Sequence, residues 1–140
     1  FPYTTLFRSL MLYYGVGWSF NLLMAPVLAA GVVLTALGAG TFLSALTVAY
    51  RDFRYVVPFM IQFWMFATPV VYPASLVPDA WQWVYFLNPM AGIIEGFRSA
   101  VLGKPFDFRA LAMAGIVGSG LFVIAVGYFE SVERRFADVI

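Results

Sequence analysis

An all-α integral membrane protein is what this sequence predicts, on three grounds. Of its 140 residues, 63% are hydrophobic and only 11% charged, whereas soluble domains carry about 25% charged residues. Residues 9–50, 55–78 and 110–129 hold no charge at all, and about 20 such residues in a helix cross the roughly 30 Å hydrocarbon core. The aromatic share is 19%, with four Trp and eight Tyr, which suits belts at the two membrane surfaces.

The same composition excludes several functions. A formal net charge of +1 gives no surface for nucleic acid. With no Cys and no His, the chain lacks a thiolate nucleophile, a disulfide, and the commonest general base and metal ligand. Asp52, Asp79, Glu95 and Asp107 are the carboxylates outside the C-terminal tail. None forms an evident catalytic pair in the sequence.

Residues 1–9, FPYTTLFRS, resemble the in-frame translation of a sequencing adapter and are set aside as non-native, which implies a longer natural chain. They show no signal-peptide pattern. As a single helix, residues 9–50 would run about 60 Å, twice the hydrocarbon core. A break is expected around Gly15, Gly17, Trp18, Ser19 and Asn21. The first pass is then the end of a helix reaching about residue 14, and the second spans about 22–49, with Pro26 tolerated in its first turn. Ala36, Gly40 and Ser44 recur every four residues, a small-residue stripe suited to close helix packing.

Arg51, Asp52 and Arg54 follow in a short loop. Arg residues this close to helix ends point to the cytoplasmic side. A third helix is expected over about 56–72, with Pro58 in its first turn and Gln62 as its one strongly polar side chain. Gln62, Phe66 and Pro69 share a face at helical spacing, and Phe59 joins them. Gln62 serves either as an interhelical hydrogen-bonding group or as a lining group of a polar path.

Pro69, Pro73 and Pro78 end regular structure. Within 79–102 the uncharged part is too short to span a bilayer comfortably. Asn88-Pro89 interrupts it, because the residue before proline is pushed out of helical geometry. Two short amphipathic helices are expected, about 79–86 and 90–102, dipping into the interface as a hairpin. Glu95 and Arg98, three apart, can pair, either as a self-neutralising surface pair or as a latch. A last span is expected over 110–129, with Gly115, Gly118, Gly120 and Gly127 for packing, followed by the charged tail 130–140.

The order RDFRY, PFMIQFWMFATPVVYP, LNPMAGIIEGFR, a last helix and ERRFADVI resembles the permease subunit of ABC-2-type polysaccharide exporters, over roughly residues 22–140. The resemblance implies a six-helix protomer that forms a homodimer around a channel, of which this chain is the C-terminal part, with a re-entrant periplasmic helix pair at 79–102. It places Arg51, Asp52 and Arg54 in a cytoplasmic loop and Asn88, Pro89, Glu95 and Arg98 in the periplasmic gate. Phe59, Gln62, Phe63, Phe66 and Tyr72 become channel candidates. No cofactor is expected in this chain, since ATP and Mg belong to a separate ABC ATPase partner. The implied substrate is a lipid-linked glycan carried across the bacterial inner membrane. Rival readings are an ABC-2 exporter of drugs or lipids, a membrane enzyme acting on lipid-linked sugars, and a structural anchor.

Overall fold

The computed structural model of the chain describes residues 2–15, 17, 20–70 and 72–137, apart from the side chain of Phe136. Among these residues there is no strand. The helices are α1 (Pro2–Tyr13), α2 (Ala25–Ala49), α3 (Phe53–Ala67), α4 (Gln82–Tyr85), α5 (Pro89–Leu102) and α6 (Phe108–Ala137). A 3-10 turn, Phe20–Met24, leads into α2, and the two together form a 30-residue apolar stretch, Phe20–Ala49. That stretch and Phe108–Arg135 in α6 are both long and apolar enough to cross a membrane.

α2 and α6 pack along most of their length. Leu28, Thr35, Gly38 and Ala45 are the buried positions of α2. A Cβ added at Gly38 would stand 3.1 Å from the backbone of Phe122, and one at Gly118 would stand 3.0 Å from Thr35 Oγ1. Farther along, the rings of Phe42 and Tyr128 lie 5.6 Å apart. Partners on the two helices rise together in number, so α2 and α6 run parallel. Their C-terminal ends, with Arg51 and Arg54 beyond one and Arg134 and Arg135 on the other, lie at the same end of the molecule.

The stripe Ala36–Gly40–Ser44 is not the packed one. All three are exposed, and nothing lies within 4 Å of a Cβ at Gly40. In a helix this rich in Ala and Gly, four-residue spacing of small residues occurs on more than one face, and spacing alone does not choose between them. The same correction applies to α6: of its four expected packing glycines Gly118 packs, while Gly115, Gly120 and Gly127 have nothing within 4 Å.

α5 fills the crevice between α2 and α6 and runs antiparallel to both. Leu28, Ile93, Ala100 and Ala114 form the core, with Val32, Met90, Phe97, Phe106 and Leu111 packed around it. The helix expected over 90–102 starts one residue earlier and is packed within the chain: Pro89, Ala91, Gly92, Ile93, Gly96, Ser99 and Ala100 are all buried. Gly92 and Gly96, four apart, explain the insertion. A Cβ on Gly92 would come within 2.5 Å of the Ala110 carbonyl oxygen, and one on Gly96 within 2.9 Å of both Leu28 and Leu111. Without those side chains the α5 backbone seats directly on α6.

α3 differs from the expected span of 56–72. It begins at Phe53 and ends at Ala67, with Pro58 inside it. Fifteen residues give only about 22 Å, short of the hydrocarbon thickness. The stop is local: Thr68 precedes Pro69 and is held extended at φ −98, ψ 134, as proline requires of its predecessor. Tyr55, Phe59 and Phe63 are 73–75% exposed, so α3 stands off the three-helix core.

At the N-terminal end, α1 is largely exposed and is closed by Gly15 in the left-handed region, φ 63, as a helix C-terminus favours. Trp18 and Ser19, part of the expected break, lie outside the described residues. The last helix outruns the expected 110–129. Glu130, Glu133, Arg134 and Arg135 extend α6 to Ala137, since these are good helix formers.

Candidate functional site

A helix leaves its last four carbonyls without intrahelical partners; at the end of α3 that of Ala67 is met from the start of α5, as are, farther on, carbonyls of the segment that follows the helix. Thr68 stays close to the helix, its N–H and its Oγ1 both donating to the Trp64 carbonyl at 2.9 and 2.8 Å. Asn88 reaches across from the start of α5. Its Nδ2 donates to Thr68 Oγ1 at 3.0 Å and, at 3.4 Å, to the Ala67 carbonyl. Its Oδ1 accepts from the Met90 N–H at 3.1 Å and so caps α5. Pro89 takes the first helical position, where its missing N–H is no loss.

Arg98, farther along α5, holds the segment that follows. Nη2 donates to the carbonyls of Pro69 at 2.8 Å and Val70 at 3.3 Å, and Nη1 to that of Tyr72 at 3.2 Å. Nη1 also meets Glu95 Oε2 at 3.2 Å, the one salt bridge among the described residues, with the side chains 29% and 31% exposed. Glu95 thereby orients a guanidinium whose other contacts are all backbone oxygens. The planar fork of Arg suits this task in a way a Lys ammonium does not.

Aromatic rings close the site on the far side. Tyr72 donates from its hydroxyl to the Phe66 carbonyl at 3.3 Å, and its ring lies 6.4 Å from that of Tyr85.

The site sits deep. Pro89 packs beside Gly118 and Thr35, each ten residues into its helix, or about 15 Å at 1.5 Å per residue. Arg98 and Glu95 lie near the level of Gly96, which packs against Leu28 and Leu111 close to the helix starts. One end of the cluster is therefore midway along the two apolar helices and the other is near their entrance.

The structure unites Asn88, Pro89, Glu95 and Arg98 from the expected gate with Tyr72. Phe59, Gln62, Phe63 and Phe66 form one exposed stripe on α3, while Tyr72 lies beyond the helix end and reaches back through its hydroxyl to the Phe66 carbonyl. Gln62 has no hydrogen-bond partner among the described residues. Arg51 and Asp52 occupy the turn between α2 and α3, Arg54 the first turn of α3, and all three are exposed. Asp52 stands at the N-cap of α3 without a side-chain capping bond. Sequence reasoning missed Thr68, Tyr85, Gly92 and Gly96. Thr-Pro at a helix end and the Gly-x-x-x-Gly of α5 were the available signals. Among the described residues no group of three or more Asp or Glu is placed to hold a metal ion.

Two long apolar helices, a third packed into the groove between them and a broken helix clamped to it make this a helical membrane protein. The profile of the ABC-2 type transporter family matches residues 3–102, and the chain belongs to that family of membrane transporters. It is similar to the O-antigen export system permease protein RfbA of Klebsiella pneumoniae, 24% identical over 115 residues that cover 82% of this chain and 44% of the relative. RfbA of Myxococcus xanthus is 29% identical over 133 residues, covering 91% of this chain and 50% of that protein. Pleiotropic drug resistance protein 2 of Nicotiana plumbaginifolia is 31% identical over 68 residues, 49% of this chain and 5% of the relative. The chain thus spans about half the length of the O-antigen permeases it matches. No solved structure matches it.

Proposed function

We propose that this chain is the gate-bearing part of a permease subunit that exports a lipid-linked polysaccharide across the bacterial inner membrane. The complete subunit is a six-helix protomer working as a homodimer, and a separate ABC ATPase supplies the energy. The observation that carries the reading is the insertion of α5 to mid-depth between two apolar helices, clamped there to the broken end of α3. Such an insert closes a path, and it opens only by moving. Its likeness to two O-antigen export permeases over most of the chain supports the choice of cargo class.

Orientation follows from the parallel packing of α2 and α6. Arg51, Arg54, Arg134 and Arg135 share one end, which is the cytoplasmic one by the positive-inside rule. The α4–α5 hairpin then enters from the periplasmic side as the re-entrant pair, and Asn88, Pro89, Glu95 and Arg98 belong to the gate. The stripe Phe59, Gln62, Phe63 and Phe66 faces the channel, its rings offering stacking surfaces to sugars. A second reading, export of drugs or lipids, is favoured by the likeness to the drug-resistance protein.

Deletion of the gene in its native bacterium, with complementation by the complete gene, tests the choice. Loss of surface polysaccharide and accumulation of lipid-linked polymer on the cytoplasmic face are expected. Normal surface polysaccharide with raised drug accumulation would select the second reading.

A further inference from the structure

We infer that Thr68 is a positioning residue that makes the end of α3 and the whole of α5 one rigid unit, so that gate movement is movement of both together. The inference rests on the export reading and goes beyond it by naming what moves with what.

The argument begins with how little else holds α3. Its long faces are exposed, and its remaining attachment within the chain is the short turn to α2 at residues 50–52. At its other end, hydrogen bonds from two α5 side chains converge within six residues, 67–72. Asn88 holds Ala67 and Thr68, and Arg98 holds Pro69, Val70 and Tyr72. Asn88 and Arg98 are ten positions apart on α5, so α3's end is fixed at two separated points and cannot pivot on either alone.

Thr68 is the joint of the first point. It is only 5% exposed, and its hydroxyl both donates to Trp64 of α3 and accepts from Asn88. It therefore passes a displacement of the last α3 turn to the residue that caps α5. Valine has nearly the same shape without the hydroxyl and would leave Asn88 Nδ2 with the long 3.4 Å bond to Ala67. The turn at 50–52 joins α3 to α2 with no comparable side-chain bridge among the described residues, and this is where relative motion is absorbed.

The test uses the complete transporter, with any cysteines of the full chain replaced. Residues 1–140 contain none. Spin labels at Met65 and Leu102 report α3 against α5, and labels at Met65 and Leu37 report α3 against α2. All three positions are about half exposed. Between nucleotide-free and ATP-bound states the first distance is expected to stay unchanged, while the second shifts. Thr68→Val should lower export about tenfold at unchanged membrane abundance and let the first distance vary, and Thr68→Ser should restore both. A first distance that changes with nucleotide in the unmodified protein would overturn the inference while leaving the export reading in place. Constancy of both distances, together with normal export, would overturn the moving unit altogether. Absence of export from the unmodified transporter would instead overturn the export reading.

Discussion

Arg98 Nη2 lies 2.8 Å from the carbonyl oxygen of Pro69, and this contact supplies from another helix what the broken end of α3 cannot supply itself. Proline stops the helix, the carbonyls beyond it lose their helical donors, and the guanidinium of Arg98, about two and a half turns into α5, takes three of them. Hydrogen bonds to a charged group contribute about 1.5–3 kcal/mol. Replacing Arg98 by Lys should therefore speed amide exchange at Thr68 and Val70 by roughly ten- to hundredfold, because an ammonium cannot span the three oxygens. Hydrogen–deuterium exchange of the detergent-purified protein measures this.

Glu95 should show a different profile. The pair with Arg98 is about one-third exposed on each side, and such pairs contribute about 0–1 kcal/mol. Glu95→Ala should leave thermal stability within that range, yet in the complete transporter impair export or leave the pore leaky, because Arg98 loses its orienting partner. Ion leak and surface polysaccharide are the readouts, and unchanged values for both would remove Glu95 from the gate.

Asn88 has two functions that can be separated. Its oxygen caps α5 and its amide nitrogen holds Thr68. Asn88→Ala loses both and should cost about 1 kcal/mol from the cap alone. Asn88→Ser restores a capping oxygen on a side chain too short for the second contact. Thermal unfolding should recover with Ser while export stays low.

Packing of α5 predicts a contrast between glycines. At Gly92 an added methyl meets the Ala110 carbonyl at 2.5 Å, whereas at Gly120 nothing lies within 4 Å. Gly92→Ala should destabilise the fold by about 1–3 kcal/mol, the usual cost of overpacking. Gly120→Ala should be neutral or stabilising by up to about 1 kcal/mol from helix propensity. Unfolding temperatures of the two variants in one detergent make the comparison.

Several features were legible in the residues. Long uncharged runs identified the helices of 22–49 and 110–129 because hydropathy is a property of the chain itself. Asn88-Pro89 was readable as a break in the segment, and Glu95 and Arg98 as a possible pair, because both depend on neighbours three residues away or fewer. The reach of Arg98 to Pro69, Val70 and Tyr72 was not legible, since it joins positions 26–29 apart and no local period encodes it. The α3 end was misplaced because hydrophobicity continues through Thr68-Pro69 while helical geometry does not.

What the sequence determined by itself is the membrane class, the existence of the long helices and the break before α5, all set by composition, proline chemistry and short-range spacing. Tertiary structure decided which small-residue stripe packs, that α5 is buried between α2 and α6, and that the exposed α3 is held at its broken end by Asn88 and Arg98. The physical reason is the same in each case. A helix rich in Ala and Gly offers several faces of nearly equal quality, and an unpaired carbonyl accepts any suitable donor. Only the close approach of the other helices selects the face that is buried and the donor that is bound.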